Sequence, residues 1–506
     1  MDAPSAPLNP RVAPRRVREA ICVAALSLLA MAHIGTNDAI TDGMAGPYPV
    51  RVVVRPAGVV PGRAQVAVRV LAGDPRSVVV RAVPTRLGPQ NAPAGDSAKL
   101  VAGEKGLYAT DVWLMTSGSY SVSVDVDGSQ GHGTIVVPVT SIATKRLGMP
   151  RGIGIALSVL GVLLIAGVLT IVRAATREAL VPEGAAPGPD DRSRARVGVA
   201  IATAVLLIAC LGGFQWWQAE DARYRLSLFT PIAATAHVTS ADARRLRIDI
   251  TDSLWRADPP AIVPDHGKIA HLFLVREHSM ETLAHLHPVR STPASFETPL
   301  PELAAGRYLV FLDVVSESGR SHTITTGFDQ PSSGVRGGAL DPDDSFKVAE
   351  AIAPSPSAVG ALTSPLNSGM TMTWDRAGEL TAGPELTIRI LVRDASGKPV
   401  TLEPYLGMTG HAVVVRDDAG VFVHLHPMGT VSVAAESLAT SRWVSGGGTS
   451  ASSIAPAHIP DTATDGLVRF PFAFPSPGRY RIWVQVRVRG VIETGVFDTV
   501  VRPART

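Results

Sequence analysis

His411-Ala-Val-Val-Val-Arg-Asp-Asp-Ala-Gly-Val-Phe-Val-His-Leu-His-Pro427 reads as a β-hairpin. Asp417-Asp-Ala-Gly420 is a turn signal between two apolar runs. With no bulge, Arg416 pairs with Val421, and His411 falls opposite His426. Side chains alternate along a strand, so His424 and His426 share a face. His411 points to that face from the neighbouring strand. Cross-strand Cβ atoms stand ~4.5–5.5 Å apart and diagonal ones ~7–8 Å, a spacing from which three imidazoles reach one ion.

The same pattern occurs earlier in the chain. His271 matches His411, and Leu246-Arg-Ile-Asp-Ile250 matches Leu386-Thr-Ile-Arg-Ile390, both at an offset of 140. His285-Leu-His-Pro288 matches His424-Leu-His-Pro427 at an offset of 139. Gly306-Arg-Tyr308 matches Gly478-Arg-Tyr480 after an insertion at about 429–464, rich in Ser, Ala and Gly, which reads as a mobile loop. The first turn is one residue longer, so Arg276 pairs with Thr282 and His271 falls opposite His287. Two tandem β domains follow, at 230–330 and 371–506, joined by a linker at 331–370 that carries Pro, Ser and Gly throughout.

Each copy thus offers three imidazoles: His271, His285 and His287, then His411, His424 and His426. Imidazole suits copper, zinc or nickel. Met280, Met408 and Met428 lie close to the motifs and add soft donors, which tilts the reading toward copper. Zinc is the alternative, because three His plus water make a known open site. The competing reading is structural: polar residues on a half-buried face, with Pro288 and Pro427 ending strands. His266 and His278 face Leu406 and Asp418 in the second copy and read as solvent-facing loop residues. His237, His322 and His458 have no patterned partner.

Upstream, residues 46–140 alternate with period two. Tyr48-Pro-Val-Arg-Val-Val-Val-Arg55, Ala64-Gln-Val-Ala-Val-Arg-Val70 and Ser119-Tyr-Ser-Val-Ser-Val-Asp-Val126 are its strands, and Gly118-Ser-Tyr120 echoes the Gly-x-Tyr signal of the repeats. Short Val-rich strands at this spacing predict a third antiparallel, Ig-like sandwich over 33–150. The expected fold is mainly β: three sandwiches, two transmembrane helices and an N-terminal signal segment.

The chain has 506 residues, of which 46% are apolar and 18% charged, against roughly 25% charged in soluble domains. Mean hydropathy is +0.20. Arg11, Arg15, Arg16 and Arg18 precede an apolar run over 20–32 that ends Ala30-Met-Ala32, the pattern of a signal peptide at 1–32. The runs 152–172 and 197–217 are each 21 residues long without a charge, the length of a membrane span. The Arg-rich, Pro-containing loop 173–196 between them is placed on the cytoplasmic side. Residues 33–150 and 218–506 then lie outside a bacterial plasma (inner) membrane, on the periplasmic side. A net charge of +3 without a basic stripe argues against nucleic acid. Two cysteines, Cys22 and Cys210, both in apolar segments, build neither a disulfide framework nor a Cys zinc site.

Cleavage after Ala32 would make His33 the mature N-terminus, where its α-amine and ring can chelate Cu(II) together as a histidine brace. His132, in the Gly131-His-Gly133 turn, is a candidate for the remaining ligand. The other reading of His33 is a chance residue after the cleavage site.

Met408-Thr-Gly-His-Ala-Val-Val-Val-Arg416, His424-Leu-His-Pro427 and Pro477-Gly-Arg-Tyr-Arg-Ile-Trp-Val-Gln485 resemble the YtkA-like or cupredoxin-like domains of bacterial extracytoplasmic proteins. Lys268-Ile-Ala-His-Leu-Phe-Leu-Val275 through His285-Leu-His-Pro288 resembles a companion copy. Trp113-Leu-Met-Thr-Ser-Gly-Ser-Tyr120 is similar to the same group. The resemblance implies cupredoxin-like sandwiches beside copper-handling modules. His33 resembles the mature start of CopC-type copper proteins, although no Asp-x-His pair completes such a site. A blue-copper thiolate ligand is missing as well, which speaks against that kind of electron transfer.

The leading expectation is a membrane-anchored metal-binding protein for copper handling or homeostasis, whose spans anchor it or contact a membrane-protein partner. The alternative is a non-catalytic structural protein presenting its sandwiches to a membrane or envelope partner. No G-x-S-x-G elbow, phosphate loop or paired-carboxylate motif points to an enzyme.

Overall fold

The computed structural model describes residues 38–240, 244–332, 337–353, 356, 362–376, 378–448 and 463–504. The expected signal segment, His33 and His458 lie outside them. The chain divides into two units, residues 142–229 and the remainder.

The smaller unit is a pair of helices, α1 (Arg151–Glu178) and α2 (Pro189–Leu226), both long and apolar enough to cross a membrane. They outrun the apolar runs 152–172 and 197–217, so most of the expected 173–196 loop is helical and only 179–188 connects them. The reason is that breakers stop a helix, and polarity does not. Pro182, Gly184, Pro187 and Gly188 fall in the connection. Pro189 sits in the first turn of α2, where a missing N–H costs nothing, and the Asp191 carboxylate accepts the Gly188 N–H at 2.7 Å.

The larger unit is mainly β, built of antiparallel sheets stacked in pairs around separate cores. In the first sandwich, strands Ala39–Ala45, Tyr48–Arg55, Gly62–Val70, Leu107–Leu114 and Lys99–Leu100 face Asp96–Ser97, Pro75–Pro84, Gly118–Gly128 and Gly131–Ser141. Alternate valines such as Val66, Val68, Val122 and Val124 meet between them. This is the period-two pattern realised as a core.

The two later sandwiches share a layout. In the second, His271–Arg276 runs between Thr282–Leu286 and Gly306–Ser316. In the third, His411–Arg416 runs between Phe422–Leu425 and Gly478–Val488. The hairpin registers are the expected ones: Phe273 opposes His285, and Val413 opposes His424. The same central strands place His271 opposite Asp313 and His411 opposite Gln485.

These strands are buried on both faces. Leu272, Leu274, Ala412 and Val414 enter the cores of their own sandwiches. Phe273, Val275, Leu283, Leu309 and Phe311 of the second sandwich meet Val413, Val415, Phe422 and Trp483 of the third in a separate apolar cluster. The two repeats therefore dock sheet against sheet. Phe311 and Phe422 stack with centroids 4.1 Å apart and ring planes 7° from parallel.

Two segments read as unstructured carry structure. In the expected linker 331–370, Ser345–Val348 pairs with Thr282–Leu286, and Leu362–Pro365 opens the third sandwich. In the expected mobile insertion, α4 (Val433–Ser445) starts at Ser432, whose side chain accepts the Ala435 N–H; α3 is the short helix Ser253–Ala257. Small residues let α4 pack closely: Ala434 and Ala435 meet Val315, while Ala439 and Trp443 meet Val83 and Val136 of the first sandwich. Composition alone misreads such a segment, because Ala and Ser serve a packed helix as well as a loop.

Candidate metal centre

The docked face that carries the phenylalanines also carries the motif histidines, since His271, His285 and His287 stand on the odd positions with Phe273 and Leu283. In the third sandwich His411 alternates in step with Val413 and Val415, and His424 and His426 with Phe422, on the docked face. Each set of three can offer one ring nitrogen per residue, with the chosen atoms all within 4.8 Å of one another. All six side chains are buried.

A neutral imidazole has one N–H and one lone pair, and the hydrogen bond on one side decides what the other side offers. His271 places Nε2 at 3.2 Å from the Asp265 carbonyl, which makes Nε2 the donor and Nδ1 the free lone pair. His285 places Nδ1 at 2.9 Å from Gln485 Oε1. Gln485 Nε2 donates to Ser345 Oγ at 2.6 Å, so its Oε1 accepts, and His285 Nε2 is the free atom. His287 donates from Nδ1 to Asp344 Oδ1 at 2.8 Å, and its buried Nε2 has no partner among the described residues. His271 Nδ1 and His285 Nε2 then face each other at 3.2 Å with no proton to share.

The third sandwich repeats this at His411 and His426, while His424 Nδ1 has, among the described residues, only Asp313 Oδ2 nearby, at 3.6 Å. His411 Nε2 donates to the Tyr405 carbonyl at 3.1 Å, leaving Nδ1 facing His424 Nε2 at 3.3 Å. His426 donates from Nδ1 to the Val431 carbonyl at 3.1 Å, leaving Nε2 free. Both sets bring one Nδ1 and two Nε2 atoms together, and in five of the six rings a hydrogen bond on the far nitrogen leaves the inner one as the lone pair. Lone pairs left facing one another in a dry site cost about 1–3 kcal/mol each, and a cation satisfies all three at once. Fixing the far nitrogen is also how proteins orient imidazoles toward a metal.

Burial holds His271, His285, His411, His424 and His426 neutral. It pushes His271 and His426 down to about 3, aided at His271 by the neighbouring His287 and at His426 by His266. His285, His411 and His424 are driven well below the ordinary histidine range by burial first and by adjacent imidazoles second. A metal ion at neutral pH meets these five rings already deprotonated.

His266 corrects the sequence reading. It is no solvent-facing loop residue: its side chain is 4% exposed, and its Nε2 lies 3.3 Å from His426 Nε2. The turn Asp265–Lys268 explains this. Asp265 and Lys268 exchange backbone hydrogen bonds across His266 (φ 52°) and Gly267 (φ 77°), and Tyr405 and Met408 do the same across Leu406 (φ 53°) and Gly407 (φ 76°). The tight turn aims residue 266 across the interface. His278 is at the surface, 92% exposed. His132 is exposed as well, hydrogen-bonded to Asp127 at 2.8 Å. Met280 packs in the apolar interface with Phe273 and Phe311, while Met408 and Met428 are buried.

The surrounding residues that motif reading missed come from the opposite repeat or the linker. Gln485 of the third sandwich binds His285 of the second, and the Tyr405 hydroxyl stands 3.2 Å from the same ring nitrogen. Reciprocally, Asp313 of the second lies 3.6 Å from His424 Nδ1 of the third. Burial raises the Asp313 carboxyl to about 7, with Asp265 adding to the effect. Asp265 also caps α4, accepting the Ala434 N–H at 2.9 Å.

Residues 366–503 match the profile of a domain of unknown function, DUF8832. No curated protein matches the chain. Among solved structures, a tetra-tandem repeat from the extending region of a large adhesion protein shares 9% identity at a TM-score of 0.15, over 88% of this chain and 96% of that one. Dimeric latent PorU from Porphyromonas gingivalis shares 9% identity at a TM-score of 0.14, over 92% of this chain and 34% of that one. At these scores neither likeness bears on fold or function.

Proposed function

We propose that this chain is a membrane-anchored metal-binding protein, holding or passing copper on the outer side of a bacterial plasma membrane. The observation that carries the reading is the convergence of three ring nitrogens in each repeat, with the opposite nitrogens of five of the six rings hydrogen-bonded away. An all-imidazole set favours Cu(II) over zinc on intrinsic affinity, and zinc is the second candidate. The two apolar helices serve as the anchor, and the resemblance of the His-Leu-His-Pro segments to YtkA-like and cupredoxin-like domains points the same way. The role is carriage or storage, with no catalytic step assigned to the residues.

The test is titration of the purified full-length chain in detergent with Cu(II) and Zn(II). The comparison is a variant with His285, His287, His424 and His426 all changed to Ala. Tight copper binding by the parent, absent from a variant of equal circular dichroism, supports the reading. Equal binding by both discards it and leaves the scaffold alternative.

A further inference from the structure

We propose that the two histidine sets are halves of one dinuclear centre, assembled only where the repeats dock, with His266 as a seventh imidazole contributed by the second sandwich to the third. This rests on the reading that the sets bind metal, and goes beyond it in making the two sites one.

Three observations carry it. First, no layer of protein separates the sets. The His271 and His424 rings are 5.2 Å apart between centroids, His285 and His424 5.8 Å, and His285 and His411 6.2 Å. Second, the hydrogen bonds that orient His285 cross the interface: its acceptors are Gln485 and the Tyr405 hydroxyl of the other repeat. The second sandwich does not hold its own set in order alone. Third, His266 lies against rings of both sets, with centroids 6.0 Å from His271, 5.4 Å from His411 and 4.8 Å from His426. Its Nε2 faces the free Nε2 of His426. The third-sandwich ion thereby gains a fourth imidazole, whereas Leu406 stands at the corresponding turn position and offers the other ion none.

Charge makes the pairing sustainable. Two divalent cations at close range repel unless carboxylates surround them. Asp344 bonds His287 directly, Asp313 lies beside His424, and Asp265 Oδ1 is 3.8 Å from His266 Nε2. All three come from the second sandwich and the segment that follows it.

The probe is Cu(II) added to the metal-stripped full-length chain in detergent, read by electron paramagnetic resonance and quantified against total copper. Two Cu(II) per chain with a half-field transition and reduced integrated intensity are expected. His266→Ala should weaken the second ion by ~10-fold or more, the lower end of what even outer partners of metal-bound imidazoles contribute. His278→Ala, on the exposed turn of the neighbouring hairpin, should match the parent, and equal melting curves confirm that both variants fold. Two ions with superposed isolated signals, or one ion per chain, overturn the dinuclear centre and leave metal binding standing. An unaltered His266→Ala titration overturns the seventh ligand. A chain that binds no copper overturns this proposal and the metal-binding reading together.

Discussion

His266 Nε2 and His426 Nε2 meet at 3.3 Å although 160 residues separate them. The contact joins a tight turn of one sandwich to the end of a hairpin in another. It exists because the two repeats bury the same face of the same strands against each other. The surface that would be a polar sheet face in a lone domain becomes a dry compartment lined by imidazoles.

Removing an outer hydrogen bond should weaken metal binding while leaving the ligands in place. Gln485→Leu deletes the nearer acceptor for the His285 Nδ1–H and leaves only the Tyr405 hydroxyl at 3.2 Å, so the tautomer that frees Nε2 is held less firmly. We expect a ~10–100-fold loss of copper affinity in competition titration, with the fold unchanged. Unaltered affinity would mean that His285 is not a ligand.

The chain without metal should be acid-labile. His271 and His426 stay neutral down to about 3 when folded, whereas an unfolded histidine takes up a proton near 6.5. Between those values the unfolded state binds more protons, so stability falls as pH drops, by up to about 1.4 kcal/mol per pH unit for each such ring. Asp313 and Glu436 act in the opposite sense. Burial raises each to about 7, so they favour the folded state as pH falls toward the ordinary carboxyl range. The lowered histidines outnumber them. Unfolding midpoints in urea should therefore decrease from pH 7 to pH 5, and bound metal should shift the decline to lower pH. A flat profile over that interval would contradict the burial of these rings.

Docking of the repeats should depend on the aromatic stack. Phe311→Ala removes the partner of Phe422 from a closed apolar cluster. The expected cost is about 3–5 kcal/mol, read from denaturant unfolding. A companion loss of copper stoichiometry would tie the metal centre to docking, and unchanged stability would refute the tight interface.

Gly429 should tolerate no side chain. Its φ is 137°, and a Cβ there would lie 1.9 Å from the Ile40 carbonyl oxygen. That close approach lets the segment after His426 pair with the edge strand Ala39–Ala45, where Asp42 N–H donates to the Met428 carbonyl at 2.7 Å. Gly429→Ala should cost about 1–3 kcal/mol and lower the melting temperature. A wild-type melting curve would show that the first sandwich is not held there.

Much of the architecture was legible in local pattern. Period-two valines marked the strands, apolar length marked the two helices, and the Asp-Asp-Ala-Gly turn set the register that places His411 beside His426. The offset of 140 between His271 and His411 marked the repeat. These signals are local, or are repeats of local signals, and the backbone's own geometry enforces them. What pattern could not reach was the second face of each central strand. Phe273 and Val275 reveal only in three dimensions that they meet Val413 and Phe422, because nothing in either repeat names the other as its cover. The burial of His266 and the hydrogen bond from His285 to Gln485 follow from that docking. A strand's alternation determined which residues share a face; the tertiary packing of two such faces decided that their histidines would stand together and out of water.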